Sequence, residues 1–248
     1  MQFRILGPLE VDAGGRRLDL GRPKQRALLA LLLVHAGSVV SADKLADDLW
    51  SGEPPEDPAA ALQVQVSRLR KVLGAPTVES RKPGYRLALG DAGDVDAAHF
   101  EALVAEARQA APAAALALYD DALGLWRGPA LAEFADEPWA LPEAARLEEL
   151  RLAALEERAD AELALGRHAD VVGPLRSLAS AHPLREPLWS RLIVALYRCG
   201  RQAEALRAYA DLRRQLGEEL GIDPSPALQR LEEAVLLQAP ELDWTPPA

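Results

Sequence analysis

The side chains best suited to bind another molecule are concentrated between residues 59 and 89. This stretch holds six lysine and arginine residues and a single acid, Glu79, in a chain whose formal net charge is −10. Its first half, residues 59–73, has the spacing of an amphipathic helix, because at about 100° per residue the apolar side chains share one narrow stripe. That stripe consists of Leu62, Val66, Leu69 and Leu73.

The opposite face of this predicted helix carries no acidic residue. A solvated helix surface in an acidic protein usually mixes signs, as acid–base pairs four residues apart do. Amide, hydroxyl and cationic groups instead match base edges and phosphates in the major groove of DNA. A basic helix by itself is more often a solvated surface, so the interpretation depends on the segment that follows. The candidate DNA-binding residues of the helix are Gln63, Val64, Ser67, Arg68, Arg70 and Lys71.

A basic hairpin is predicted directly after the helix. Residues 77–89 contain two strand-like runs around Arg81-Lys82-Pro83-Gly84, and a proline-glycine pair between such runs is typical of a turn. A helix in the major groove with a basic β-wing beside it is the arrangement of a winged helix-turn-helix bound to DNA. Arg81 and Lys82 are the candidate wing contacts.

The residues before the helix predict the elements that hold it in place. Pro23 is favourable at a first helical position, and Ser41 is a favourable cap for a helix that runs to about Trp50. Asp57 followed by Pro58 gives the basic helix both a capping residue and a proline at its first position. The predicted strands are Phe3–Leu9, Glu10–Asp12 and a short run near Arg17–Leu20.

The chain after Asp96 is predicted to be helical and contains an internal repeat. Leu165-Gly166-Arg167 and Cys199-Gly200-Arg201 lie 34 residues apart. A period of 34 with a turn between helices is typical of tetratricopeptide-type helical hairpins. A last helix is predicted to begin at Asp223-Pro224. The apolar pairs that keep the same offset are Val172 with Leu206, Leu175 with Tyr209, and Leu178 with Leu212.

A mainly α fold with two domains follows from these patterns. The predicted first domain, residues 1–90, is a winged helix-turn-helix with small antiparallel sheets and three helices. A linker at 91–95 leads to an all-α tetratricopeptide-like domain at 96–238, and residues 239–248 are predicted to be a loose tail. Residues 1–90 hold 13 basic and 10 acidic residues, whereas the rest holds 15 and 28, so nucleic acid is expected at the first domain only.

Several classes of protein are not expected from this composition. A lone cysteine, Cys199, excludes an internal disulfide framework and fits a reducing cytoplasm. The longest apolar run, Ala27–Val34, is too short to cross a bilayer, so no membrane contact is predicted. No histidine pairs with the cysteine at a metal-ligand spacing, and no nucleophile has a recognisable base. We therefore predict no catalytic, metal or cofactor residues, and no enzymatic activity.

The chain resembles the Streptomyces antibiotic regulatory protein family, in which an OmpR-type winged-helix domain precedes a bacterial transcriptional activation domain. The last of the matching segments is the most specific. The chain lacks a Gly-rich loop ending in Lys-Ser/Thr. In this respect it is similar to the stand-alone members of the family, which have no ATPase module. The matching segments are FRILGPLEV at 3–11, RPKQRALLALLL at 22–33, LQVQVSRLRKVLG at 62–74, PGYRL at 83–87, DVDAAHFEAL at 94–103, ALGLWRGPAL at 122–131 and GRQAEALRAYADLRRQLGEELGIDPSPALQRLE at 200–232.

The resemblance implies a sequence-specific transcriptional activator. Such a protein would bind direct repeats in promoter DNA upstream of an antibiotic biosynthetic cluster, as a homodimer at least on DNA. By the same likeness Arg68 would contact a base edge and Val64 a thymine methyl group. Arg70 and Lys71 would hold phosphates, and Arg81 would enter the minor groove.

The resemblance also implies a contact with RNA polymerase holoenzyme, including its sigma factor. In related activators this contact is made by the loop before the base-contacting helix, here Ser51–Pro58. Its acids Glu53, Glu56 and Asp57 would suit a basic partner surface. Ser67 stands where winged-helix relatives often carry a basic residue. The base preference of those relatives is therefore not assigned to this chain.

Two other functions remain open from the sequence. The chain could be an adaptor that does not bind DNA, with the helical repeats holding a protein partner and the winged helix serving as a protein-binding module. It could also be a ligand-gated regulator that uses a groove of the repeats. The acid-free face of residues 59–73 favours the DNA-binding activator, because an adaptor has no need to exclude acids there.

Overall fold

A computed structural model describes residues 1–90 and 94–246. The chain forms two compact units, one made of Met1–Ala105 with Asp121–Arg151, and the other of Glu106–Asp120 with the residues from Leu152 onward. Most of the predicted linker, residues 91–93, lies outside the described residues, as do the last two residues of the predicted tail. The fold is mainly helical with small antiparallel sheets near the N-terminus, which confirms the predicted fold class.

The winged helix of the first unit consists of three helices and two three-stranded sheets. The first sheet has the order β1-β2-β3 and the second the order β4-β6-β5, with antiparallel pairing in both. The helices are α1 (Pro23–Val34), α2 (Ala42–Trp50) and α3 (Pro58–Leu73). The strands are β1 (Gln2–Arg4), β2 (Glu10–Ala13), β3 (Arg16–Arg17), β4 (Val40–Ser41), β5 (Val78–Arg81) and β6 (Gly84–Leu87).

The predicted helix starts of the winged helix are confirmed by their caps. The Ser41 side chain accepts a hydrogen bond from the amide of Lys44, and the Asp57 carboxylate accepts one from the amide of Ala60 at 2.9 Å. Each cap satisfies one of the amides that a first helical turn leaves without a partner. The start of α3, and therefore the direction in which its side chains point, is fixed by local sequence.

The predicted strand Phe3–Leu9 is wrong beyond Arg4. The amides of Ile5 and Leu6 donate to the Asp96 carboxylate at 2.8 and 3.1 Å, and the amide of Leu9 donates to Glu133 at 2.8 Å. Side chains therefore take the place of a neighbouring strand, and the backbone leaves the sheet although its residues favour extended structure. The strand expected near Arg17–Leu20 is confined to Arg16–Arg17.

Seven helices are described after residue 93, in agreement with the predicted helical second half. The last begins at Pro226, two residues later than expected, with Ser225 as its N-cap residue. The helices are α4 (Asp96–Ala107), α5 (Pro112–Gly124), α6 (Leu141–Ala164), α7 (His168–Ala181), α8 (Glu186–Arg198), α9 (Gln202–Leu220) and α10 (Pro226–Leu237).

The 34-residue repeat is present in the backbone as well as in the sequence. Gly166 and Gly200 both adopt a left-handed conformation, with φ of 77° and 73°. The following amides, of Arg167 and Arg201, donate to carbonyls five residues earlier at 3.0 and 2.9 Å. This is the glycine-terminated helix end that reverses the chain between paired helices. Leu175 and Tyr209, one repeat apart, are both buried in the core of the second unit.

The segment after α10 is not the loose tail that the sequence predicted. Leu242 is buried in the core of the second unit, and its carbonyl accepts a hydrogen bond from Arg198 at 2.9 Å. The indole N–H of Trp244 donates to the carbonyl of Ala164 at 3.0 Å. One apolar and one aromatic side chain thus anchor residues 239–246. Among the described residues, no helix combines the length and apolar character needed to cross a bilayer.

Candidate nucleic-acid interface

The apolar stripe of α3 holds this helix against the rest of the winged helix. Its four leucine and valine side chains are at most 5% exposed, and the helix packs on α1 and α2. Burial of a side chain of this size stabilises the fold by about 1.5–3 kcal/mol. The stripe therefore fixes which side of α3 faces solvent. Its members are Leu62, Val66, Leu69 and Leu73, as predicted.

The solvent-facing side of α3 presents a narrow set of polar, cationic and small apolar groups. Val64 is 46% exposed, which is unusual for a branched apolar side chain on a helix whose other leucine and valine side chains are buried or half-buried. An exposed methyl-bearing group among hydrogen-bonding neighbours matches a groove that displays thymine methyl groups. The exposed residues of this face are Gln63, Val64, Ser67, Arg68 and Lys71.

Three cations of this region have no partner within the described parts of the chain. The side chains of Arg68, Lys71 and Lys82 are exposed and make no ion pair or hydrogen bond with any residue in 1–90 or 94–246. Many arginines elsewhere are paired, such as Arg191 with Asp160 at 2.6 Å. Unpaired cations on one surface attract a polyanion, because binding releases the counterions that otherwise neutralise it.

Arg70 differs from its neighbours because its guanidinium is already bonded. Its Nε donates to the carbonyl of Val78 at 2.8 Å, and its Nη2 donates to the hydroxyl of Ser80 at 2.9 Å. The side chain is half-buried between α3 and β5. The structure therefore places this residue at the junction of helix and wing, not on the open face with Arg68 and Lys71.

The wing is a hairpin whose only acid ties two arginines together. Glu79 lies opposite Arg86 in the β5–β6 register, and its carboxylate accepts hydrogen bonds from Arg86 at 2.7 Å and from Arg81 at 3.0 Å. These two bonds, that from Arg86 first, hold the pKa of Glu79 below its ordinary value. Lys82 lies at the turn and is exposed. The wing thus offers a free cation at its tip and an oriented arginine beside it.

The acidic loop before α3 contains two free carboxylates and one that serves the fold. Glu53 and Glu56 are exposed and have no described partner, whereas Asp57 caps α3. Two acidic side chains therefore remain available to a basic surface. Within residues 1–90 and 94–246, no group of three or more His, Cys, Asp or Glu is placed to hold a metal ion.

Sequence reasoning missed two contributors to this region. One is β4, a strand of only two residues, Val40–Ser41, whose partner β6 lies more than 40 residues later. The other is Ser80, the acceptor for Arg70. Because successive side chains of a strand point to opposite faces, Val78 and Ser80 lie on one face of β5, which could have indicated that Ser80 faces α3.

An open cationic helix face with a basic wing, joined to a repeat-containing helical half, defines a transcriptional regulator of the winged-helix class. Two family models match the chain in agreement with this. The model described as "Transcriptional regulatory protein, C terminal" matches residues 15–87, and "Bacterial transcriptional activator domain" matches residues 95–236. The chain belongs to the Streptomyces antibiotic regulatory protein family of transcriptional regulators.

Curated relatives align with nearly the whole chain. It is 44% identical to the regulatory protein AfsR of Streptomyces griseus over 98% of its own length and 25% of AfsR. It is 38% identical to the transcriptional regulatory protein EmbR of Mycobacterium tuberculosis, over 97% of the chain and 64% of EmbR. It is 36% identical to the regulatory protein DnrI of Streptomyces peucetius, over 100% of the chain and 96% of DnrI. The chain thus spans a quarter of AfsR, less than two thirds of EmbR and nearly all of DnrI.

A solved structure supports the fold. The structure of Mycobacterium tuberculosis EmbR in complex with a low-affinity phosphopeptide superimposes with a TM-score of 0.92 at 38% sequence identity. The match covers 96% of this chain and 65% of that one. Each of these relatives is named as a regulatory protein, and none as an enzyme.

Proposed function

We propose that the protein is a transcriptional activator that binds promoter DNA through α3 and the wing. The observation that carries this proposal is the solvent face of α3, which contains no acid and holds the unpaired cations Arg68 and Lys71. The wing that follows adds a further unpaired cation, Lys82. A helix of 16 residues fits the major groove, and its exposed side chains reach base edges there.

Each exposed residue then has a distinct role. Arg68, near the middle of the open face, donates to a base edge, and Val64 contacts a thymine methyl group. Gln63 and Ser67 supply further hydrogen bonds in the groove. Lys71, one turn further on, neutralises a phosphate, because a flexible ammonium group suits a point contact. From the wing, Arg81 enters the minor groove and Lys82 lies against the backbone.

The activator part of the proposal rests on the acidic loop and on family membership. Glu53 and Glu56 are free to meet a basic surface of RNA polymerase holoenzyme, such as one on its sigma factor, because neither has a described partner. The family resemblance supports binding to direct repeats as a homodimer and control of an antibiotic biosynthetic cluster. Selection of bound duplexes from a random pool tests both the class of protein and the arrangement of its binding sites on DNA. Spaced direct repeats are the expected outcome.

Substitutions of Arg68 and Lys71, the two unpaired cations of α3, should have different effects on DNA binding. Arg68→Ala should weaken the specific complex by about 1–3 kcal/mol and relax the preference at one base pair. Lys71→Ala should weaken all sequences alike and reduce the slope of log K against log salt by about one. Fluorescence anisotropy on the selected and a scrambled duplex, at several salt concentrations, separates the two effects.

A control for charge alone is available in the second unit. Arg207 is exposed on α9 and has no partner among the described residues, so Arg207→Ala changes the net charge equally. It should leave affinity and salt slope close to those of the wild type. If all three variants behave alike, the assigned roles are wrong. If no duplex is enriched from the pool by the wild type, the adaptor interpretation replaces the proposed function.

Charge reversal in the acidic loop should separate activation from DNA binding. In a Glu53→Lys and Glu56→Lys double variant we expect DNA affinity to be retained or increased, because two acids near the interface are removed. Transcription by purified holoenzyme from the selected promoter should fall several-fold. The matched control is a Glu218→Lys and Glu219→Lys double variant, which replaces two exposed acids at the end of α9 and should retain transcription. Equal transcription from the double variant and the control would contradict the assignment of this loop.

A further inference from the structure

We propose that Arg70 is a positioning residue that fixes the wing relative to α3, and so determines base preference on the flank that the wing contacts. This assignment replaces the phosphate contact that the sequence predicted for Arg70, and it rests on the proposed function. Its starting point is a difference among three neighbouring cations. Arg68 and Lys71 are exposed and unpaired, whereas Arg70 bonds to two groups of the wing.

The Val78 carbonyl accepts this bond because its strand lies at an edge. In the order β4-β6-β5, strand β5 has a neighbour on one side only. The amide of Ala88 donates to the carbonyl of Thr77 at 2.8 Å, so in this antiparallel pair the carbonyl of the next residue, Val78, points away from β6. Arg70 Nε supplies a donor that no other residue in 1–90 or 94–246 provides to this carbonyl.

The second acceptor gives the contact a fixed direction. Ser80 lies two residues beyond Val78 on the same face of β5, and its hydroxyl accepts from Nη2 of Arg70. A guanidinium presents Nε and Nη2 in one plane at fixed separation, so both bonds form together only at one orientation of strand and helix. A lysine has a single ammonium group on a flexible stem and cannot reproduce this geometry.

The other face of the hairpin carries the groups that would meet DNA. Glu79 alternates with Val78 and Ser80 along β5, and it bonds to Arg81 and Arg86 on its own side of the sheet. The wing is therefore attached to α3 through one face and presents Arg81 from the opposite one. A change in the angle between α3 and β5 moves Arg81 relative to the base-contacting side chains of the helix.

The test compares Arg70→Gln and Ser80→Ala with Lys71→Gln in the full chain. Ser80→Ala removes one of the two bonds and leaves all charges in place, so it remains informative if Arg70→Gln fails to fold. In the free protein we expect backbone hydrogen exchange over residues 78–87 to become several-fold faster in Arg70→Gln, and to a smaller extent in Ser80→Ala. Lys71→Gln should leave this exchange unchanged.

The same variants are then compared on the selected duplex and on duplexes altered at single positions. Arg70→Gln and Ser80→Ala should lose discrimination at the flanking pairs and keep it at the pairs contacted by α3, with an unchanged salt slope. Lys71→Gln should lower the slope by about one and keep discrimination at both places. Arg70→Lys should not restore flank discrimination.

The proposal is overturned if Arg70→Gln lowers the salt slope by about one and Arg70→Lys restores wild-type binding, because Arg70 is then a phosphate ligand. It is also overturned if wing exchange is unchanged in both Arg70→Gln and Ser80→Ala. Failure of the wild type to select any duplex is a different result. It removes the proposed function, whereas the exchange experiment in free protein still tests the attachment of the wing to α3.

Discussion

Replacing Asp96 with alanine is expected to lower the free energy of unfolding by roughly 2–6 kcal/mol, because two buried amides then lose their acceptor. The Asp96 side chain is nearly inaccessible and accepts hydrogen bonds from the amides of Ile5 and Leu6 at 2.8 and 3.1 Å. Its second oxygen also lies 3.4 Å from Nη2 of Arg127. An unsatisfied buried donor costs about 1–3 kcal/mol, and alanine leaves two of them.

Urea unfolding of the full chain measures this effect, and two other variants define its origin. Asp96→Asn keeps one carbonyl acceptor and should show about half of the loss. Asp47→Ala removes an exposed acid from α2 and should change the free energy by no more than about 0.5 kcal/mol. If Asp96→Ala is as stable as Asp47→Ala, the carboxylate does not hold the Ile5–Leu6 backbone.

The contribution of Asp96 to stability should also depend on pH. Burial raises the pKa of this carboxyl, although the amides of Ile5 and Leu6 and the charge of Arg127 oppose the shift. The folded protein therefore binds the proton more tightly than the unfolded chain. The resulting stability is fully present below the ordinary value of 3.8 and is lost as pH rises through the folded-state pKa.

Asp96→Asn lacks a titrating group at this position. Its difference in unfolding free energy from the wild type should therefore change across that window, with the wild type losing stability relative to the variant as pH rises. The other carboxylates are common to both proteins and cancel in the comparison. A difference that is constant from pH 3 to neutrality would show that the folded-state pKa of Asp96 is not raised.

The Asp96 contacts join the N-terminal segment to residues that belong to the second family match. The winged-helix family match begins at residue 15, and the activator-domain match begins at residue 95. Residues Ile5 and Leu6, which precede the first match, bind groups from the second. The Leu6 carbonyl accepts from the amide of Arg127, and the Ile5 carbonyl from that of Leu131, both at 2.8 Å. Within this unit, the N-terminal segment is therefore built together with residues 94–105 and 121–134.

The features of the winged helix that the sequence predicted correctly are specified by local chemistry. The caps at Ser41 and Asp57 act over three residues, and the stripe from Leu62 to Leu73 repeats within one helix. Both can be recognised without knowing what the helix packs against. The same holds for the 34-residue repeat, because its glycine turns recur at a fixed offset.

What sequence did not predict depends on partners far away in the chain. The interrupted strand after Arg4 results from a carboxylate about 90 residues later. The anchored C-terminal segment results from an indole that reaches a carbonyl 80 residues earlier. The bonds of Arg70 to Val78 and Ser80, which lie 8 and 10 residues later on another element, were likewise not indicated by the sequence. In each case the deciding partner is fixed by tertiary packing.

Alanine at Gly166 is expected to destabilise the protein by about 2–4 kcal/mol, clearly more than alanine at Gly200. Both glycines have a left-handed backbone, which costs a residue with a Cβ about 1–2 kcal/mol. They differ in their surroundings. A Cβ at Gly166 would lie 2.7 Å from the Trp244 ring, whereas a Cβ at Gly200 would meet nothing within 4 Å. The extra loss at Gly166 comes from displacement of the indole and its hydrogen bond to Ala164.

The repeat therefore supplies its own control, one period of 34 residues away. Thermal or urea unfolding of Gly166→Ala, Gly200→Ala, Trp244→Ala and the two double variants completes the comparison. With Trp244 replaced by alanine, the cost of Gly166→Ala should fall to that of Gly200→Ala, and the cost of Gly200→Ala should not change. If the two glycine substitutions are equal in the wild-type background, Trp244 does not rest on the α6–α7 turn in solution. Residues 239–246 would then be the loose tail that their sequence indicates.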